Sequence, residues 1–118
     1  MFPFYPINAD LSDITEHLIL NLVSSYGTIS NVSAYRAGKL LCLSLQLKNI
    51  TEQIGANKVV VSGVPLPKIA YSSTSLAIPS DIVGNYPIIL SSGNIVTSST
   101  PIPNTVGSLF MSFVYEMR

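Results

Sequence analysis

Between Leu40 and Lys48 the chain places leucine at every second position: Leu41, Leu43, Leu45 and Leu47 alternate with Cys42, Ser44, Gln46 and Lys48. Leucine is a good helix former, so propensity alone points the wrong way. A repeat of 3.6 would scatter these leucines around a helix axis, whereas a repeat of two gathers them on one face of a strand. The segment is therefore read as a half-buried strand with one apolar and one polar side.

That strand sets the pattern for its neighbours. Ile29–Tyr35 precedes it across Arg36-Ala37-Gly38-Lys39, which reads as a hairpin with Gly38 at a positive φ. Pro87–Leu90 and Asn94–Ser98, joined by Ser91-Ser92-Gly93, read as a second hairpin. In Ser108–Tyr115, Leu109, Met111, Phe113 and Tyr115 alternate with Phe110, Ser112 and Val114, so both faces are largely apolar. Cover is expected on both sides of this strand, from a second sheet and from another subunit. Proline removes ladder donors, so Val64-Pro65-Leu66-Pro67 and Pro101-Ile102-Pro103 are expected as sheet-edge loops. A further strand is expected within Lys68–Ser80. Together these features predict an all-β fold, an antiparallel sandwich of jelly-roll type.

Asp10–Val23 admits two readings. Ser12 or Asp13 as a cap, with Ile14, Leu18 and Leu22 at helical spacing, gives a short N-terminal helix. Leu18, Leu20 and Leu22 alternating against His17, Ile19, Asn21 and Val23 give a strand. Before it, Met1–Ile7 holds three aromatics and two prolines, too apolar to stay in water. It is expected to pack on its own sheet or across a neighbouring subunit.

Composition limits the function. Of 118 residues only 10% are charged, six basic against six acidic, while 47% are apolar; soluble domains average ~25% charged. Clustered Lys or Arg for a phosphate backbone is absent, which argues against nucleic acid. The apolar fraction argues against disorder, and no run is long enough for a membrane-spanning helix. One cysteine, Cys42, allows no internal disulfide and no multi-cysteine zinc site. The N-terminus lacks the basic start and apolar stretch of a secretory signal, so the chain is expected to be made in a cytosol. Near-zero net charge favours association, and a homo-oligomer is expected.

Few residues offer catalytic chemistry. His17 is the only histidine, and no G-x-S-x-G elbow surrounds any serine. Asp10, Asp13 and Glu16 would share a helical face, as ligands for a hard cation or as favourable charges at a helix start. Cys42 has no basic neighbour in sequence and reads as a small buried or interface side chain. No catalytic residue, metal site or cofactor is assigned. Tyr71, in the polar loop Tyr71–Ser75, and Asn85-Tyr86, after Gly84, are the candidates for a binding surface. A tyrosine ring can stack on the apolar face of a sugar while asparagine hydrogen-bonds its hydroxyls. The same tyrosines also suit the ends of a sandwich as plugs of the core.

The order of these features is familiar. Asn31–Lys39 runs into Leu40–Leu47; Val59-Val60-Val61 and the proline-rich Val64–Ile69 follow, then the Ser92-Gly93-Asn94-Ile95 hairpin, and the chain closes on Gly107–Tyr115. From about Ile29 to Arg118 this resembles the C-terminal receptor-binding (head or tip) domains of bacteriophage tail-fibre and baseplate proteins, those of phages and prophages of Gram-positive bacteria above all. The resemblance implies a β-sandwich head over residues 29–118, with 1–28 as a linker or a wrap of the trimer base. It further implies a homotrimer in the virion tail, contact with other tail or baseplate proteins, and non-enzymatic recognition of a host cell-surface saccharide. Two rival readings are a structural subunit joining parts of a virion or surface assembly, and a polysaccharide hydrolase.

Overall fold

The computed structural model describes residues 15–69, 73–80 and 83–118. The described chain is all-β. Its strands are β1 (Thr15–His17), β2 (Thr28–Ala37), β3 (Leu40–Lys48), β4 (Val59–Ser62), β5 (Ser73–Pro79), β6 (Tyr86–Ser91), β7 (Asn94–Thr97) and β8 (Leu109–Glu116). They form one eight-stranded sheet in the order β1-β2-β3-β8-β5-β6-β7-β4, with every pairing antiparallel.

The sheet turns over at β5. Ser73–Ala77 pair with β6, whereas Ile78 and Pro79 pair with Phe110 and Leu109 of β8. One strand thus belongs to both halves, and the sheet curls into a half-barrel whose halves share one core. The result is sandwich-like, with its two layers continuous rather than separate. At the far edge Ser62 of β4 exchanges backbone hydrogen bonds with Val23, in the segment between β1 and β2. That exchange covers an edge strand whose unpaired N–H and C=O groups would otherwise recruit another chain.

Turn chemistry fixes the register. Ala37 pairs with Leu40, leaving Gly38-Lys39 as a two-residue loop, and Gly38 has φ 61°. A positive φ at the first loop position alone is the type II′ requirement, met without strain by glycine. Ser91 pairs with Asn94, and both Ser92 (φ 48°) and Gly93 (φ 85°) are positive, as in a type I′ turn. Both match the twist of the strands they join.

Leu41, Leu43, Leu45 and Leu47 are all buried, as the alternation in β3 required, and each faces a buried residue of β8: Tyr115, Phe113, Met111 and Leu109. Ile88, Leu90, Ile95, Val60 and Val61 complete the opposite wall. The proline segments take their places for the reason given by their missing donors. Ile102 exchanges backbone hydrogen bonds with Ile54 at 2.8 and 2.9 Å, and both side chains are fully buried; Pro101 and Pro103 on either side cannot extend that ladder. The segment Val64–Lys68 crosses from one half to the other. Val64 N–H donates to Gly93 at the β6–β7 turn, Lys68 N–H donates to Glu116, and Arg118 N–H donates to Leu66.

One expectation needs correcting. No helix occurs among the described residues, so the helical reading fails over the part of Asp10–Val23 that is described, Thr15 onward. Thr15–His17 pairs with β2, Leu18, Leu20 and Leu22 pack on the core, and His17, Ile19, Asn21 and Val23 point outward, the alternation of the strand reading. On β8, Leu109, Met111, Phe113 and Tyr115 are buried in the core, while Phe110 and Val114 on the other face remain 46% and 59% exposed, the side for which cover by another subunit is expected. The apolar opening Met1–Ile7 lies outside the described residues.

Candidate functional site

Two surfaces offer chemistry. The first is the start of β6. Gly84 takes φ 150°, Asn85 is exposed, and Tyr86 opens the strand opposite Ala77. Tyr86, Ile88 and Leu90 share a strand face by their period of two, so the Tyr86 ring leans onto the end of the core while staying half-buried. Its hydroxyl lies over Gly84, 3.7 Å from the position a Cβ there would take. The ring therefore has the plug position weighed in the sequence, with one side left to solvent beside the exposed Asn85. Tyr71 lies outside the described residues.

The second surface is the outward face of β1, β2, β3 and β8. Here the register, rather than any sequence motif, brings residues together. His17, Tyr35, Cys42 and Val114 form one cross-strand row, and Ser33, Ser44 and Ser112 form the next. The His17 and Tyr35 rings stack with centroids 4.8 Å apart. Beyond them lie Gln46, Phe110 and Ile78. At this end β2 bulges between Ser30 and Ser33; Asn31, at φ 53°, donates its side-chain amide to the Gln46 Oε1 at 2.7 Å and closes over it. A shallow depression of about 250 Å³ sits over the Ser33, Tyr35, Cys42, Ser44, Ser112 and Val114 side of this face.

Among the described residues, this face offers groups for contact. Three hydroxyls and a phenol can donate and accept hydrogen bonds, and the exposed Cys42 is a free thiol. His17 stands two strands from Cys42, ~10 Å by strand spacing, well beyond the reach of a proton transfer. Glu16 faces Arg36 at 4.0 Å and Glu116 faces Lys68 at 3.6 Å, all exposed, so each of these carboxylates has a cation for its neighbour. Asp10, Asp13 and Asp81 lie outside the described residues, and no cluster of three or more metal-ligating side chains occurs among the described ones.

The rows on the outward face were not assembled from the sequence, because they depend on which strands are neighbours. Their signal was nonetheless present in β8, whose second face is apolar. Comparison of the chain with protein-family models, curated protein sequences and solved structures found no match.

Proposed function

We propose that the chain is the head domain of a phage tail receptor-binding protein, a homotrimer that binds a saccharide on the host cell surface and performs no chemistry on it. The observation that carries the reading is the path of the proline segment. It crosses between the two halves of the fold and is tied to the closing strand by the hydrogen bond from the Tyr115 hydroxyl to Pro65. A crossing proline segment and a final strand ending in tyrosine are the features on which the resemblance to phage tip domains rests. The groups for contact on both surfaces support the recognition reading.

Saccharide recognition falls to Tyr71, Asn85 and Tyr86, with the Tyr86 ring as the stacking surface and Asn85 as the hydrogen-bonding partner. Shallow sugar sites are weak singly, and three copies on one tip raise the effective affinity without new contacts. The test is adhesion of the labelled protein to intact cells of a Gram-positive panel, and to polysaccharide isolated from any strain bound. Binding should fall at least tenfold when Tyr71, Asn85 and Tyr86 are replaced together by alanine, with circular dichroism confirming the fold. Unchanged adhesion by the folded variant dismisses the loop assignment. A subunit that merely joins virion parts would adhere to no cell at all.

A further inference from the structure

The outward face of β2, β3 and β8, with β1 alongside, is unlike the rest of the surface. Its middle is uncharged: Tyr35, Leu40, Phe110 and Val114 are exposed around Ser33, Cys42, Ser44 and Ser112. Among the described residues, charges on this face sit only at its ends, on Lys48 and Glu116. Protein interfaces show this same depletion of charge at the centre with aromatic residues retained. We infer that this face is where copies of the chain meet, Val114 and Phe110 of each copy being covered by its neighbours.

Size supports a second copy as the occupant. Strands about 4.8 Å apart and about 30 Å long make a face of roughly 500 Å² in projection, which side-chain relief raises toward the ~800 Å² per partner of a stable interface. Polar loops of a distant partner would not need so broad an apolar face, and a chain of zero net charge has little repulsion to keep its copies apart. The width also suits a threefold arrangement. Three faces about 17 Å wide, set as a triangle, stand about 5 Å from the axis, half the ~10 Å at which sheets pack face to face.

This inference rests on the homo-oligomer of the proposed function and is independent of the saccharide. Sedimentation velocity of the full chain at tens of micromolar tests it. The unmodified chain should sediment as an oligomer, and Val114→Asp and Phe110→Asp as folded monomers, while Val59→Asp, at a 46% exposed position on β4 at the opposite edge of the sheet, leaves the oligomer intact. A monomeric unmodified chain, or a folded Val114→Asp that sediments like the parent, overturns the inference. Cys42 gives a readout that needs no variant. A maleimide should modify it at least tenfold more slowly in the assembled chain than after dilution to monomer, and equal rates would also overturn the inference. A monomer that still adheres to cells removes this interface and leaves the receptor reading standing; an oligomer that adheres to none does the reverse.

Discussion

The hydroxyl of Tyr115 donates to the carbonyl oxygen of Pro65 at 2.7 Å, joining the last strand to the segment that crosses the fold. The ring is buried, and the backbone on either side repeats the tie: Lys68 N–H to Glu116 and Arg118 N–H to Leu66. Proline has no N–H of its own, so Pro65 and Pro67 contribute only acceptors here. Tyr115→Phe keeps the ring and removes the donor, and should lower unfolding free energy by about 1 kcal/mol in urea titrations near neutral pH.

The same phenol gives an alkaline signature. Burial pushes the Tyr115 pKa up from 10.0 to about 12. Below pH 10 the hydroxyl is protonated folded or unfolded, and its full contribution is present. Between pH 10 and about 12 the unfolded chain releases the proton while the folded chain keeps it, so stability falls as pH rises. The difference in stability between parent and Tyr115→Phe should therefore shrink over that interval. A difference constant up to pH 12 would contradict the buried, protonated state.

Closure of the far edge depends on Gly63. Its φ is 91°, and a Cβ there would run into the carbonyl oxygen of Asn21, two residues before the Val23–Ser62 exchange. Gly63→Ala should cost roughly 1–3 kcal/mol, from the left-handed backbone and the displaced neighbour together. Loss of hydrogen-exchange protection at the Val23 and Ser62 amides would identify the closure as the part that opens.

Ile102 and Ile19 make a paired test of what is core. Ile102 is fully buried against Ile54, while Ile19 is 93% exposed. Ile102→Ala should destabilise by about 2–5 kcal/mol, and Ile19→Ala by less than ~0.5. Comparable midpoint shifts for the two in urea would contradict the described packing.

The β6–β7 turn can be improved. Serine at the first position of a type I′ turn carries an unfavourable positive φ that asparagine tolerates better. Ser92→Asn should raise stability by roughly 0.5 kcal/mol, read as a higher urea midpoint with unchanged slope.

The parts of this fold that were legible in the sequence are those decided locally. Leu40–Lys48 declared its two faces through alternation, and its bounds are those of β3. Gly38 and Ser92-Gly93 declared their hairpins because few residues accept a positive φ. Ile102 was harder. Flanking prolines removed it from any long strand, and its pairing with Ile54, far away in sequence, left no local trace. The Val23–Ser62 exchange is another contact of this kind. Around Leu18–Leu22 helical and extended spacings fitted the same residues, and only the neighbouring core settled the matter in favour of extension. At the candidate site, Asn85 and Tyr86 were adjacent in sequence and remain so. The row of His17, Tyr35, Cys42 and Val114 required knowing that β8 lies beside β3.

The cover of that row, and the trimer of the proposed function, depend on copies of the chain coming together. Light scattering coupled to size-exclusion chromatography measures this directly. The expected result is a single species of three times the 12.7 kDa of one chain. A sharp peak at the mass of one chain, persisting at high concentration, would contradict it.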